Sequence, residues 1–101
     1  MIVTEEMDVL DALGNSVRRK ILRHLRDSPL SVGELAARFP VSRPAISRHL
    51  RLLAKSGLVE SRVTGARHCY AIRLKGFTPV REFLDEFWES ALTRLEELSR
   101  K

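Results

Sequence analysis

Apolar residues recur at helical spacing in four successive segments of the first 57 residues, and helix-ending residues separate these segments. The spacing predicts a first helix over about residues 4–13, which ends at Gly14-Asn15. A second helix begins at Ser16 and ends at Ser28-Pro29, because the residue before a proline is disfavoured in helical backbone. Its outward positions are predicted to be basic: Arg18, Arg19, Lys20, Arg23 and Arg26.

The fourth segment, from Val41 to Gly57, has the clearest start and stop signals in the chain. Ser42 is a natural N-cap, and Pro44 fits the first helical turn, where its missing N–H costs nothing. Gly57 lies where a left-handed C-terminal cap is expected. The apolar positions predicted to face inward are Ile46, Leu50 and Leu53.

A short third helix precedes this segment, and Ser31 and Glu34 have the spacing of a capping box at its start. Only Pro40-Val41 separates it from the fourth helix. Two helices joined by so short a link, the second basic outside and apolar inside, predict a helix-turn-helix over residues 31–55.

The periodicity changes to a strand-like pattern after Gly57. Two strands are predicted within residues 58–74, joined by a turn at Thr64-Gly65-Ala66 in which the glycine supplies a positive φ. A hairpin in this position is a wing. The chain is therefore predicted to be one mainly α winged helix-turn-helix domain over residues 1–101, with element order α-α-α-α-β-β-α.

A long helix closes the chain over residues 78–100, and its apolar stripe is wider than a small domain easily buries. We interpret this helix and helix 4–13 as a homodimer seam, with ordinary packing on the domain's own core as the alternative. The predicted interface residues are Met7, Leu10, Phe83, Leu84, Phe87, Trp88, Ala91, Leu92 and Leu95.

Charge is unevenly distributed along the chain, although the net value is only +5. Residues 15–75 contain 14 Lys or Arg and three acidic residues, whereas both flanks are net acidic. No acidic residue occurs between Val41 and Val59. Concentrated positive charge around a predicted helix-turn-helix indicates that this part of the chain faces double-stranded DNA.

The candidate DNA contacts lie on the fourth helix and on the wing. For Arg43, Ser47 and Arg48 we expect base-edge or phosphate contacts, and for Arg51 and Lys55 phosphate contacts. For His49, a phosphate contact and a purely structural role stay equally open. The complete predicted set is Ser42, Arg43, Pro44, Ser47, Arg48, His49, Arg51, Lys55, Arg62, Arg67 and His68.

Several other classes of protein are disfavoured by the sequence. The acidic N-terminus is unlike a signal peptide, no apolar run approaches the ~20 residues of a membrane span, and a single cysteine excludes an intrachain disulfide. These features predict a cytoplasmic protein without a membrane partner. No catalytic constellation or phosphate-binding glycine loop can be assembled, so we predict neither an enzyme nor a bound cofactor.

Three stretches together resemble the ArsR/SmtB winged-helix repressors: ALGNSVRRKIL, SVGELAARFPVSRPAISRHLRLLAKSGLV and SRVTGARHCYAI. The resemblance covers about residues 8–74, and FWESALTRLEEL resembles the C-terminal helix of a non-metal branch. It implies a dimer that binds a pseudo-palindromic operator and represses a nearby promoter. Its most specific motif is carried by Ser42, Pro44, Ser47, His49, Leu50 and Leu53.

The chain departs from the metal-sensing members of that family. Residues 34–38 lack the cysteines those proteins use, and the last helix has no histidine. No metal site is therefore predicted. Three alternatives stay open: a winged-helix module that binds another protein, a DNA-binding regulator with an unidentified small-molecule inducer, and one with a redox sensor at Cys69.

Overall fold

The protein was analysed as a computed structural model that describes residues 7–100. The predicted element order is confirmed, and a short strand and a 3-10 helix are added to it. In chain order the elements are α1 (Val9–Leu13), α2 (Ser16–Asp27), β1 (Leu30–Ser31), α3 (Val32–Ala36), α4 (Arg43–Lys55), β2 (Val59–Thr64), β3 (Arg67–Ile72), the 3-10 helix (Leu74–Phe77) and α5 (Thr78–Ser99).

Side-chain caps fix where the central helices begin. The Asn15 side chain accepts a hydrogen bond from the Arg18 backbone N–H at the start of α2. The predicted capping box at α3 is complete, since the side chains of Ser31 and Glu34 each bond the backbone N–H of the other. Ser42 Oγ accepts from the Ala45 N–H at 3.3 Å and caps α4. These contacts satisfy donors that a helix cannot pair internally.

Gly57 ends α4 in the predicted left-handed conformation, with φ 86°. The Leu58 N–H bonds the Leu53 carbonyl at 3.0 Å, and the Gly57 N–H bonds the Ala54 carbonyl at 3.1 Å. This pair of bonds is the Schellman motif, in which a residue without Cβ reverses the chain at low cost. The reversal leads directly from α4 into the hairpin.

The three strands form one antiparallel sheet in the order β1-β3-β2. Thr64 pairs with Arg67, so the hairpin turn contains two residues, Gly65 and Ala66, rather than the predicted three. Gly65 has the expected positive φ, 62°. Strand β1 pairs Leu30 with Tyr70 and was not predicted, because two residues are too few to show a strand pattern.

A single core forms where α2, α3, α4 and the sheet meet. The inward positions predicted for α4 are fully buried. Tyr70 from β3 belongs to the same cluster. The buried residues of this core are Ala12, Ile21, Leu22, Leu25, Leu30, Leu35, Ile46, Leu50, Leu53, Leu58, Val59 and Tyr70.

Two predicted boundaries are wrong. The first helix begins at Val9 rather than near residue 4, because Asp8 is its extended N-cap and Asp8 Oδ1 accepts from the Asp11 N–H at 2.8 Å. Residues 4–6 lie outside the described part of the chain. The second strand of the hairpin ends at Ile72, and Leu74 already belongs to the 3-10 helix that leads into α5.

Arg18 was predicted to point outward, and this prediction is also wrong. Only 8% of the residue is exposed, and it is the one buried charged residue among those described. The reason is tertiary: α1 and α4 both contact α2 on the side where Arg18 lies.

Helix α5 has the predicted position and length, but none of its 22 residues is buried. The radius of gyration is 17.6 Å, whereas a compact domain of this length has about 13 Å. The longest dimension is 63 Å. Helix α5 therefore adds little to the core of this chain. No helix within residues 7–100 is long and apolar enough to cross a bilayer.

We predict that Gly76→Ala destabilises the fold by about 1–3 kcal/mol, because a methyl group at this position would overlap the Gly57 carbonyl at the end of α4. Urea unfolding followed by circular dichroism measures the change. Gly33→Ala is the matched control, since its methyl would meet the Arg43 side chain at ordinary contact distances of 3.6–3.9 Å. Equal unfolding midpoints for Gly76→Ala and the wild type would contradict the prediction.

Candidate nucleic-acid interface

Helix α4 carries a basic outer face directly opposite its buried stripe. Four cationic side chains are exposed on it, and Ser47 and His49 are half-buried at its edges. The first turn contains no acidic residue and begins at the positive end of the helix dipole. The exposed residues from the predicted set are Ser42, Arg43, Pro44, Arg48, Arg51 and Lys55.

The wing presents three of the predicted residues, and two of them already have partners within the chain. Arg62 pairs with Glu60 at 3.1 Å on the same strand. Arg67 pairs with Glu34 of α3, and its Nε donates to Cys69 Sγ at 3.0 Å. His68 packs on Tyr70, with ring centroids 5.1 Å apart. Arg67 thus ties the wing to the helix-turn-helix, a link that sequence reasoning missed.

Glu34 is the centre of that link. Its carboxylate accepts from the Ser31 backbone N–H at 3.0 Å and also receives the Arg67 guanidinium. The hydrogen bonds from the Ser31 backbone and side chain are the main reason that the pKa of Glu34 lies below its usual value. Burial opposes them, and the charge and hydrogen bond of Arg67 add a smaller lowering effect. The sequence shows the capping box but not Arg67, which follows 33 residues later.

A second unpredicted contact joins α2 to α4. The Arg18 guanidinium lies 3.4 Å from His49 Nδ1, and it also donates to the carbonyls of Ala12 at 2.8 Å and Asp11 at 3.3 Å. Burial and then the positive charges of Arg18 and Arg48 lower the pKa of His49, which favours the neutral ring. The burial of Arg18 could have been inferred from the sequence, because Arg18 shares one helical face with the apolar residues Ile21, Leu22 and Leu25.

The remaining candidates for chemistry are dispersed. Cys69 is buried and its sulfur is occupied by the Arg67 hydrogen bond. His24 contacts Arg38 at 3.3 Å. Within residues 7–100, no three His, Cys, Asp or Glu side chains are grouped so that they could hold a metal ion.

The predicted dimer residues of α5 form one exposed apolar face. Trp88 is 70% exposed and Phe87 60%, with Phe83 and Phe87 stacked edge to face at 5.0 Å. A groove of about 380 Å³ runs along the helix between Phe77 and Trp88. Leu10 of α1 is exposed, whereas Met7 is half-buried against the core. The other exposed members are Leu84, Ala91, Leu92 and Leu95.

We predict that Glu34→Gln lowers stability at neutral pH but not in acid. The pKa of Glu34 is lower in the folded protein than in the unfolded chain, so its ionised carboxylate stabilises the fold above the unfolded-state pKa. This stabilisation disappears as pH falls through the folded-state pKa. Urea midpoints at pH 7 and pH 3 test this: the gap between variant and wild type should narrow at pH 3. Glu60→Gln, which removes the exposed partner of Arg62, is the control. An equal difference in urea midpoint at both pH values would refute a stabilising role for the ionised Glu34 carboxylate.

Comparison with known proteins agrees with this geometry. Residues 13–62 match a family model described as a helix-turn-helix domain. The HTH-type transcriptional regulator Rv2034 of Mycobacterium tuberculosis is 45% identical over 87 residues, which cover 86% of this chain and 81% of that protein.

Solved structures extend the similarity to the whole fold. A "possible transcriptional regulator for arsenical resistance" superposes with a TM-score of 0.75 at 37% identity, covering 90% of this chain and 95% of that one. An ArsR-like transcriptional regulator from Rhodococcus sp. RHA1 gives 0.68 at 33% identity, covering 91% and 87%. The prediction of a transcription regulator rather than an enzyme is therefore confirmed. By sequence and by fold, the chain belongs to the ArsR family of winged helix-turn-helix transcriptional regulators.

Proposed function

We propose that this regulator is a homodimeric repressor that binds a pseudo-palindromic promoter site. The observation that carries the proposal is the basic outer face of α4, whose opposite face is locked into the core. An α-helix fits the major groove of B-DNA, which is about 12 Å wide. Bound there, the protein would occupy duplex that RNA polymerase needs.

The position of each side chain on α4 supports a division of roles. Arg43, Ser47 and Arg48, in the N-terminal half, are assigned to base edges or nearby phosphates. Arg51 and Lys55 are exposed one and two turns farther on and are assigned to phosphates.

On the wing, Arg62 and His68 are assigned to phosphates flanking the groove. Arg67 already bonds Glu34 and Cys69, so we assign it to holding the wing in place.

The apolar face of α5 supports dimerisation. Exposed patches of this kind mark interfaces, and a symmetric pair of α5 helices with α1 alongside would remove these side chains from water. A two-fold dimer would also present two α4 helices about 34 Å apart, the length of one DNA turn. This spacing is the reason for proposing a pseudo-palindromic site.

We predict that the protein binds its own upstream region tightly in the presence of random competitor duplex, at two protomers per site. Arg48→Ala should weaken this binding by about 1–3 kcal/mol and reduce sequence preference, because Arg48 lies on the exposed face of α4. Fluorescence anisotropy at two salt concentrations measures both effects. Arg26→Ala removes the same charge from α2, where the guanidinium already pairs with Asp27, and serves as control.

Three results would contradict parts of this function. Equal affinity of Arg48→Ala and wild type would place α4 outside the groove. Binding that random duplex abolishes would mean that the upstream region is not a specific site. Activation of a reporter driven by the bound promoter would overturn repression while leaving DNA binding intact.

We predict that Leu92→Asp yields monomers with much weaker operator affinity, because a carboxylate would be placed in the apolar face of α5. Light scattering gives the oligomeric state. Thr93→Asp introduces the same charge on the opposite side of the helix, where Thr93 Oγ1 bonds the Glu89 carbonyl, and should remain dimeric. A normal dimer for Leu92→Asp would refute the seam.

A further inference from the structure

Arg18 is an unusual residue in this fold because it is buried yet has no acidic partner within the described chain. Its guanidinium bonds backbone groups instead: Nε donates to the Ala12 carbonyl and one terminal nitrogen to the Asp11 carbonyl, both at the end of α1. The other terminal nitrogen faces His49 Nδ1. One side chain therefore connects the end of α1, the body of α2 and the DNA-facing helix α4.

The chemistry of this contact fixes the proton on the histidine ring. A guanidinium has only donors and remains charged in proteins, so Nδ1 must be the acceptor. The single proton of the neutral ring is then on Nε2. His49 lies on the edge of α4 with Ala45 and Leu52, between the buried stripe and the basic face. Within residues 7–100, His49 Nε2 has no hydrogen-bond partner. No side-chain nitrogen in this range is both buried and without a partner, so Nε2 is accessible to solvent.

We propose that Arg18 is a positioning residue for DNA binding, and that it holds His49 in the tautomer whose Nε2–H donates to a phosphate. The inference rests on the proposed function, since it takes α4 as the element that meets DNA. It also combines the two roles that the sequence left open for His49, by assigning the phosphate contact to Nε2 and the structural contact to Nδ1.

Electrostatics support this arrangement. Charging the ring would remove the acceptor for Arg18 and place a third cation beside Arg18 of α2 and Arg48 of α4. Burial, and then these two charges, hold the pKa of His49 below its usual value. Both effects favour the neutral ring, which has one N–H donor.

The first test uses the wild-type protein without DNA. Long-range ¹H–¹⁵N NMR spectra distinguish the two neutral tautomers and the charged ring, because protonated and unprotonated ring nitrogens differ in ¹⁵N shift. We expect His49 to be the Nε2–H tautomer at pH 7. An Nδ1–H tautomer or a charged ring would overturn the proposal without any variant being needed.

The second test separates the two ends of the ring by substitution. In His49→Asn the side-chain oxygen can replace Nδ1 as acceptor for Arg18, whereas in His49→Gln the amide can replace the Nε2–H donor. We expect His49→Asn to keep the urea midpoint but to lose about tenfold in operator affinity. His49→Gln should retain more affinity than His49→Asn. The reverse order would overturn the proposal.

A double-mutant cycle tests whether Arg18 acts through His49. Arg18→Met should weaken operator binding by about tenfold in the wild-type background and by less than about twofold when His49 is already alanine. Arg19→Met is the control, because Arg19 donates to Leu13 at the same end of α1 but is exposed. Equal losses in both backgrounds would mean that Arg18 only supports the fold.

These outcomes are distinguishable from failure of the proposed function. A wild-type protein that binds no duplex would refute that function, and with it the role given to His49. Normal operator binding by a protein with the wrong tautomer would refute this inference alone.

Discussion

The burial of one face of α4 is the constraint on which the rest of the structure depends. Ile46, Leu50 and Leu53 are fully buried against α2, α3 and the sheet, and each such side chain contributes about 1.5–3 kcal/mol. Because the helix cannot rotate without exposing them, its basic side is fixed outward. Ser42 and Gly57 fix its two ends. The same packing that stabilises the domain therefore also sets the orientation of the surface that we propose meets DNA.

Long-range polar contacts refine that orientation. The Glu34–Arg67 pair ties the wing to α3, and Arg18 ties the end of α1 to His49 of α4. Neither contact is within one element, so each limits how two elements move relative to one another. The Glu34 pair is exposed and is worth little in isolation, whereas Arg18 is buried and leaving its partners unpaired would be costly. The contact beneath α4 is therefore the more costly of the two to break.

Helix α5 differs from the other helices because its apolar face is not buried in the core of the chain. A domain of about 100 residues has a limited core, and α2, α3, α4 and the sheet already fill it. The apolar face of α5 is left in water in the single chain, and a second copy is the occupant we propose for it. Contact between α1 and α5 would then bring the seam close to Arg18, one helix away from the proposed DNA-facing surface.

Local sequence determined the elements and the outward face of α4, because helix caps, a Schellman glycine and 3.6-residue periodicity act within a few residues. The helices, the hairpin, the capping box at Ser31 and the inward stripe of α4 could all be predicted in this way. Only the tertiary structure decided which residues far apart in the sequence contact one another. It paired Leu30 with Tyr70, paired Arg67 with Glu34, and buried Arg18 beneath His49. Such contacts join residues separated by 31 to 40 positions, and the pattern around each residue carries no information about a partner so far along the chain.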